Sequence, residues 1–279
     1  MNEATRRCLL TLGDKERLPL SSFGRTVRRD IEPLLSAGVL KIIRSGAGEA
    51  ILVQNATALD QFMRTHFPEN ELPDNLPARA KAIRGMRNSK QAAKREDTIM
   101  ILRALRTVEC RVNSQQLDLA AITKQCGAAA LVLKQNSRLE MCGKIGLIEN
   151  QECFLHAERM QIDVDAVIYT AGRLSGITLQ HLSAESMSRC NYLHCPDYDP
   201  VGLTEYMRYK AILKDGVTLF VPADLRRLLK KFGKQALLQG RNGQMMQLLR
   251  KTAPPELRNI LHWMDEANAG LEQEVLIGN

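Results

Sequence analysis

The chain has 279 residues, of which 44% are hydrophobic and 25% are charged, and its formal net charge is +8. This length and apolar content support two modest domains with real cores. No apolar run is long enough to span a membrane, and no Gly-x-x-x-x-Gly-Lys-Ser/Thr loop is present. The composition therefore excludes a membrane-embedded protein, and the missing loop excludes a P-loop ATPase.

The excess positive charge lies entirely in the first half of the sequence. Residues 1–142 carry 23 Lys and Arg against 15 Asp and Glu, whereas residues 143–279 carry 16 of each kind. Such asymmetry indicates a polyanionic partner for the first half.

Seven cysteines are scattered along the chain without a Cys-x-x-Cys pair. Cys190, His194 and Cys195 lie close in sequence, but no second pair of ligands completes a zinc site. The first residues lack the apolar segment of a secretory signal. We therefore expect reduced, mostly buried thiols in a cytoplasmic protein.

Residues 1–67 show the pattern of a winged-helix domain. Amphipathic helices are predicted at 4–12 and 26–37, and two β-forming runs around a Gly-rich tip predict a hairpin at 39–53. Basic side chains at the start of the second helix and on the wing are candidates for DNA phosphate contacts: Arg25, Arg28, Arg29, Lys41 and Arg44. The alternative is a winged helix that binds protein, with these cations on a solvated face.

Residues 68–97 combine a proline-rich linker with a basic helical arm. No acid occurs between residues 78 and 95, and a helix would place most of the cations on overlapping faces. The arm is predicted to track DNA through Lys81, Arg84, Arg87, Lys90 and Lys94. The alternative is a charge run that is only a solvated face.

Residues 98–142 are predicted to form a helical connector. Ile99, Leu102 and Leu105 are spaced as one apolar helical stripe. A second stripe is formed by Leu117, Leu119 and Ile122. Both stripes are interpreted as core packing.

Residues 143–279 alternate short apolar runs with helical patterns. The runs lie within 143–150, 166–173, 192–197 and 217–224. Short continuous apolar strands that alternate with helices are typical of a mostly parallel sheet with helices on both faces. The whole chain is thus predicted to combine an α/β domain with an α+β domain.

Acidic residues follow two of these predicted strands. Glu149 ends the first run, and Asp197 and Asp199 follow the third, just before a helical pattern. Loops beyond the carboxyl ends of such strands form the functional crevice of open α/β sheets. Carboxylates gathered there repel one another unless a cation lies between them, and Mg²⁺ or Mn²⁺ is the natural candidate. The alternative is an Asp-rich turn that only caps the next helix.

A Glu after a first strand and an Asp-x-Asp after a later one resemble the Toprim domain of topoisomerases, bacterial primases and several nucleases. Within it, the motifs are most similar to the topoisomerase VI A-subunit group, and especially to the Toprim nuclease subunits of Wadjet plasmid-defence systems. The motif residues are Ile148-Glu149-Asn150 with Phe154, Tyr169–Gly172 and Asp197–Leu203. Arg87–Lys90 and Gly270–Glu274 also resemble Wadjet nuclease motifs.

The resemblance implies a Rossmann-like Toprim catalytic domain at 143–279. This domain would be a Mg²⁺- or Mn²⁺-dependent DNA endonuclease, in which Asp197 and Asp199 hold the metal and Glu149 is a further ligand or the acid/base. Glu152 is a candidate supporting residue, with surface solvation as the alternative. Arg173 is a candidate for holding the scissile phosphate, with a structural salt bridge as the alternative.

The resemblance also implies partners: double-stranded DNA, an SMC-like ATPase with kleisin-type subunits, and a second copy of the chain. The system would act in defence against plasmids and other foreign DNA. The roles of Glu272 and Glu274 stay open, with a solvated helix end as the default expectation.

The tyrosine positions separate this chain from a topoisomerase. The topoisomerase VI group cuts DNA with a tyrosine located before its Toprim domain, whereas the first tyrosine here is Tyr169, within the Toprim-like region. We therefore expect hydrolysis by water. Two other hypotheses stay open: a non-enzymatic winged-helix regulator with a degenerate acidic site, and a Toprim nuclease that processes RNA.

Overall fold

The computed structural model describes residues 1–68, 75–86 and 97–278. The chain is a mixed α/β protein that divides into two compact units, Met1–Arg95 and Glu96–Asn279. Each unit has its own cluster of buried apolar side chains. Within the described ranges, no helix combines the length and apolar composition that a bilayer crossing requires.

The first unit pairs helices with a small antiparallel sheet of strand order β1-β3-β2. Strands β2 and β3 form the predicted hairpin, and Gly46 at its tip has a φ of +59° that favours glycine. The elements are α1 (Glu3–Lys15), β1 (Arg17–Pro19), α2 (Arg25–Ser36), β2 (Leu40–Ser45), β3 (Gly48–Val53), α3 (Ala56–His66) and α4 (Ala78–Met86).

The core of the first unit follows from helical spacing. Val27, Ile31 and Leu34 lie on one face of α2 and are buried. Asn2 and Asn55 accept backbone N–H groups at the starts of α1 and α3, which satisfies donors that a helix leaves unpaired. The two predicted helices and the hairpin are therefore confirmed.

The second unit is built on a six-stranded mixed sheet of order β12-β11-β9-β10-β4-β7. Its first four strands run parallel, and β4 and β7 extend the sheet antiparallel. The strands are β4 (Asp97–Ala104), β7 (Ala129–Lys134), β9 (Gly143–Ile148), β10 (Ala166–Tyr169), β11 (Cys190–Cys195) and β12 (Val217–Leu219). All four parallel strands were predicted from their apolar runs.

The predicted helical connector at 98–142 is wrong for most of its length. β4 and β7 belong to the main sheet, and a second small sheet contains β5 (Cys110–Val112), β6 (Gln115–Gln116) and β8 (Leu139–Met141). Helix is found in α5 (Leu119–Cys126). Met100 and Leu102 of β4 are buried, whereas Ile99 on the opposite face is 67% exposed. The alternation of a strand therefore replaces the expected helical stripe.

Helices connect and flank the parallel strands. The chain passes from β9 to β10 on one side, then returns to the other side of β9 as β11. The strand order thus reverses between β9 and β11, which is where open α/β sheets form their binding crevice. The helices are α6 (Gln151–Leu155), α7 (Gly176–Leu182), α8 (Pro200–Leu213), α9 (Leu225–Phe232), α10 (Arg241–Thr252) and α11 (Arg258–Ala267).

Four of the seven cysteines are buried and all seven are free thiols, as expected. The ring of His194 in β11 is also buried and packs edge-on against Tyr209 at 4.8 Å between centroids. Burial lowers the pKa of His194 to about 3, so this imidazole is neutral at physiological pH. His194 and Cys195 are therefore part of the apolar core beneath the sheet's carboxyl edge.

Candidate active site

The structure brings the predicted acids to one edge of the sheet. Glu149 follows β9 directly, and Asp197 lies two residues beyond β11. The two strands are parallel neighbours in which Cys195 lies opposite Ile148. The acids therefore flank the point where the strand order reverses, and Asp199 follows on the same loop.

These carboxyl groups are shielded from solvent to different degrees: Glu149 and Asp197 are half-buried and Asp199 is buried. Burial raises the pKa of Glu149 to about 7, and the charges of Asp197, Asp199 and Glu205 add to the rise. Burial also raises the pKa of Asp197 to about 6, opposed by a hydrogen bond from the Gln273 backbone and reinforced by Asp199, Glu274 and Glu272. The edge thus concentrates negative charge in a region of low hydration.

Asp199 caps the start of α8, as the alternative interpretation of the Asp-rich turn expected. Its Oδ1 accepts the Gly202 N–H at 2.8 Å, and Pro200 occupies the first turn of α8. Burial raises the pKa of Asp199, while the N–H groups of Gly202 and Val201 oppose that rise. The cap therefore holds one oxygen of this carboxyl in a fixed position at the acidic edge.

Position 202 accepts only glycine without rearrangement. A Cβ there would collide with the carbonyl oxygen of Asp197 and would lie 2.8 Å from the Cβ of Pro196. The loop that contains Asp197 and Asp199 is called the acidic loop. The close approach of α8 to this loop therefore depends on Gly202.

The turn after β10 also approaches Glu149. Ala171 and Gly172 have φ values of +48° and +85°, and a Cβ at position 172 would lie 3.9 Å from Glu149 Oε1. The Thr170 N–H donates to the Ile148 carbonyl oxygen at 2.8 Å, which ties this turn to the end of β9. Small residues thus keep room beside the Glu149 carboxyl.

Glu205 is a fourth acid at the site that the sequence reading missed. It is buried on α8, where it accepts Arg208 Nε at 2.8 Å and forms an ion pair with Arg173 Nε at 3.0 Å. The spacing of Glu205 and Arg208 signals a helical ion pair, but nothing in the sequence signals that it is buried beside Glu149. The structure assigns Arg173 the salt-bridge alternative.

Glu152 does not join the acidic cluster. Its side chain is 63% exposed and lies 3.3 Å from His156 Nε2, one helical turn away. The surface alternative therefore describes Glu152 in this structure. Asn150, which directly follows Glu149, caps α6 with its side chain, and its Nδ2 donates to Glu274 Oε1 at 2.7 Å.

The carboxyl-terminal segment packs directly on the acidic loop. Tyr198 and Leu271 exchange backbone hydrogen bonds of 2.9 and 3.1 Å. Gln273 is fully buried at the start of a short 3₁₀ helix, Gln273–Leu276, and Glu272 pairs with Lys234. The default expectation of a solvated helix end is therefore wrong for this segment, although Glu274 is exposed.

The donor chemistry of the edge fits a hard divalent cation. Carboxylate oxygens are the ligands that Mg²⁺ and Mn²⁺ prefer, and buried acids with raised pKa values gain from a nearby positive charge. In the part of the chain that the structure describes, however, no three Asp, Glu, His or Cys side chains stand close enough to hold one ion together. The charge distribution suits a cation, but the described side chains do not form a closed three-ligand cage.

The cations predicted to contact DNA are mostly exposed. Arg25 and Arg29 on α2, and Lys41 and Arg44 on β2, all have exposed side chains. Arg28 is also exposed but donates to the carbonyl oxygens of Phe23 and Leu20 at 2.7 and 2.8 Å, so it braces the preceding turn.

Part of the basic arm falls in the described helix α4. Lys81 is partly buried and Arg84 is exposed there. Arg87, Lys90 and Lys94 lie outside the described residues.

Comparison with known proteins leaves the family of this chain open: no protein-family model matches it, and no curated protein matches it significantly. The Toprim resemblance therefore depends on the motif residues alone.

Proposed function

We propose that this chain is a metal-dependent DNA endonuclease of the Toprim type. The observation that carries the proposal is the acidic edge between β9 and β11, where burial and neighbouring carboxyl groups raise the pKa values of Glu149 and Asp197. Keeping like charges buried together costs free energy. A divalent cation offsets that cost, so the site is prepared for one.

The missing three-ligand cage is compatible with this proposal. Mg²⁺ usually keeps several waters and is bound through one or two carboxylates together with substrate phosphates. Asp197 and Asp199 would hold the ion. When bound, it would neutralise phosphate charge and lower the pKa of a coordinated water.

Glu149 is suited to proton transfer. A general base works best when its pKa is close to the operating pH, and the pKa of Glu149 is about 7. Without a bound cation, about half of this carboxyl is ionised near neutral pH, and the ionised form can accept a proton from the attacking water. The protonated form can then donate to the leaving oxygen. Glu149 is thus a candidate for the acid/base role, with the ligand role as the alternative.

The substrate and partner proposals depend on charge and resemblance. Exposed cations of the first unit, such as Arg25 and Lys41, suit DNA phosphates. The resemblance to Wadjet nucleases favours an SMC-like ATPase complex with kleisin-type subunits that presents DNA to the chain. A two-fold homodimer would place one acidic site against each strand, because a two-fold interface is self-complementary.

One observation favours a second candidate, a DNA-binding regulator with an inactive acidic site. Asp199 is engaged in capping α8, and the described acids do not form a three-ligand cluster. A regulator would bind DNA whether or not a divalent cation is present and would never cut it.

Cleavage of supercoiled plasmid separates the two candidates. The chain is incubated with MgCl₂, MnCl₂ or EDTA, alone and with an SMC-type ATPase complex, and a structured RNA serves as a parallel substrate. We expect nicked and then linear DNA only with metal. Binding without any cleavage under all conditions would favour the regulator, and preferential cleavage of the RNA would contradict the DNA assignment.

A further inference from the structure

Gln273 is the most completely buried polar residue beside the acidic edge. Its exposed fraction is 0%. A buried amide is costly unless its donors and acceptor find partners. The backbone and side chain of Gln273 both form hydrogen bonds. The partners lie at or just beyond the ends of β9 and β11, the strands that precede Glu149 and Asp197.

The contacts of Gln273 reach both strands. Its backbone N–H donates to Asp197 Oδ1 at 2.8 Å, and its Nε2 donates to the carbonyl oxygen of Cys195, the last residue of β11. Its Oε1 accepts the Asn150 N–H at 3.2 Å, directly after Glu149. One side chain thus connects the backbone next to Glu149 with the backbone next to Asp197.

The chain is shaped to bring Gln273 to this position. Leu271 pairs with Tyr198, and Gly270 pairs with Lys234. A Cβ at position 270 would lie 2.9 Å from both the Tyr198 carbonyl oxygen and the Cβ of Leu237, so glycine allows the close approach. The carboxyl-terminal segment is therefore packed against the acidic loop by backbone pairing as well as by Gln273.

We infer that Gln273 is a positioning residue that sets the separation of Glu149 and Asp197 and the orientation of the Asp197 carboxyl for metal binding. This inference rests on the proposed function. Hydrogen-bond partners of metal ligands fix ligand orientation, and their loss usually costs about 10- to 100-fold in metal affinity. A purely structural role would change stability but leave the metal affinity of the folded protein unchanged.

The test compares three variants of the full chain. Gln273→Met keeps the size of the side chain but removes both of its side-chain hydrogen bonds, while the backbone N–H can still donate to Asp197. Gln273→Glu keeps an acceptor for Asn150 but cannot donate to Cys195 when ionised. Gln247→Met is the matched control, because Gln247 is exposed on α10.

Mn²⁺ binding is measured by calorimetry with MnCl₂ alone, and hydrogen–deuterium exchange reports the backbone at 148–151 and 195–199. We expect Gln273→Met to bind Mn²⁺ about 10- to 100-fold more weakly, with faster exchange at both strand ends. Gln273→Glu should exchange faster than the parent at 195–199, because it cannot donate to Cys195 when ionised. Gln247→Met should match the parent in both measurements.

The outcomes distinguish this inference from the proposed function. A parent chain that neither binds Mn²⁺ nor cuts DNA would contradict the proposed function and, with it, the role of Gln273. A parent that does both, together with Gln273 variants that stay folded and bind Mn²⁺ equally well, would overturn the Gln273 role alone. If Gln273→Met fails to fold, hydrogen–deuterium exchange of Gln273→Glu at 195–199 decides, and exchange at the parental rate there would overturn the Gln273 role.

Discussion

The acidic cluster after β9 and β11 and the cations of α2 differ in how much free energy it costs to keep them charged. Glu149 and Asp197 are half-buried at the carboxyl ends of two parallel strands, where desolvation and neighbouring carboxylates raise their pKa values, whereas Arg25 and Arg29 on α2 are exposed to solvent. An exposed charge costs little to maintain, so its presence says little about a ligand. A buried group of like charges is costly without a counterion. The acids therefore support a functional site more strongly than the cations do.

The largest expected effect comes from removing the acids themselves. Asp197→Asn, Asp199→Asn and Glu149→Gln keep side-chain shape but remove the charge that, under the proposed function, would hold a metal or accept a proton. Each should reduce plasmid cleavage by more than about 100-fold, beyond the range typical of residues that only support ligands.

Glu152→Gln is the matched control for these variants, because Glu152 is an exposed acid of the same region. It should cut at the parental rate. Full activity in Asp199→Asn would instead assign Asp199 to helix capping alone and weaken the contrast between the two charged regions.

A smaller effect is expected from crowding the acidic loop. Gly202→Ala places a Cβ against the Asp197 carbonyl oxygen and Pro196, so α8 or the loop must shift. Overpacking of this kind usually costs about 1–3 kcal/mol, and we expect that loss in the free energy of unfolding measured with urea. Gly176→Ala is the matched control in the first turn of α7, where a Cβ meets nothing within 4 Å. Equal stability of the two variants would contradict the close packing around Asp197.

The pH dependence of stability sharpens the comparison further. Glu149 has a folded-state pKa of about 7, above its ordinary value of 4.5, so the folded chain holds this proton more tightly than the unfolded chain. Its contribution to stability is therefore fully present below pH 4.5 and is lost as the pH rises through about 7.

Without divalent cations, we expect the parent to lose about 1–3 kcal/mol relative to Glu149→Gln over this window. The measurement is urea unfolding in EDTA at a series of pH values. Added MnCl₂ should recover the stability that the parent loses at high pH, so that the parent and Glu149→Gln differ less. Parallel pH profiles for the parent and the variant would show that Glu149 does not sit in a repulsive acidic cluster.

The smallest effects per residue are expected for the exposed cations. Combined replacement of Arg25, Arg29, Lys41 and Arg44 with Ala should leave unfolding nearly unchanged and weaken DNA binding similarly for all sequences. Each lost phosphate contact reduces the salt slope by about 0.9, so the combined change should be about three to four if all four cations bind phosphate.

Arg64→Ala is the control for the cations, because Arg64 is an exposed cation of the same unit that pairs with Asp60 at 2.9 Å. This variant should leave the slope of log affinity against log salt concentration unchanged. An unchanged slope in the fourfold variant would assign the hairpin and α2 to protein contacts.

The apolar runs of the second unit were enough to predict its parallel strands. Strands buried on both faces need continuous apolar sequence, and Ile145, Leu147 and Ile148 of β9 are all buried. The acids could be placed at one edge because parallel neighbours end together. The prediction therefore used information that lies within a few residues of each strand.

The remaining features depend on contacts that are distant in sequence. Ile99 and Leu102 have helical spacing, yet they lie on opposite faces of β4, because side chains alternate along a strand and these two are an odd number of residues apart. Gln273 meets Cys195 and Asn150 across 78 and 123 residues. Such contacts leave no local pattern, so β4 and Gln273 could be assigned only from the structure.

Anomalous X-ray scattering from crystals grown with MnCl₂ tests the central claim most directly, because it locates the ion without requiring activity or a partner. The account predicts one strong peak about 2.0–2.6 Å from a carboxylate oxygen of Asp197 or Asp199, lost in Asp197→Asn crystals. A peak elsewhere on the protein, with none between the ends of β9 and β11, would contradict the assignment of this edge as a metal-dependent catalytic centre.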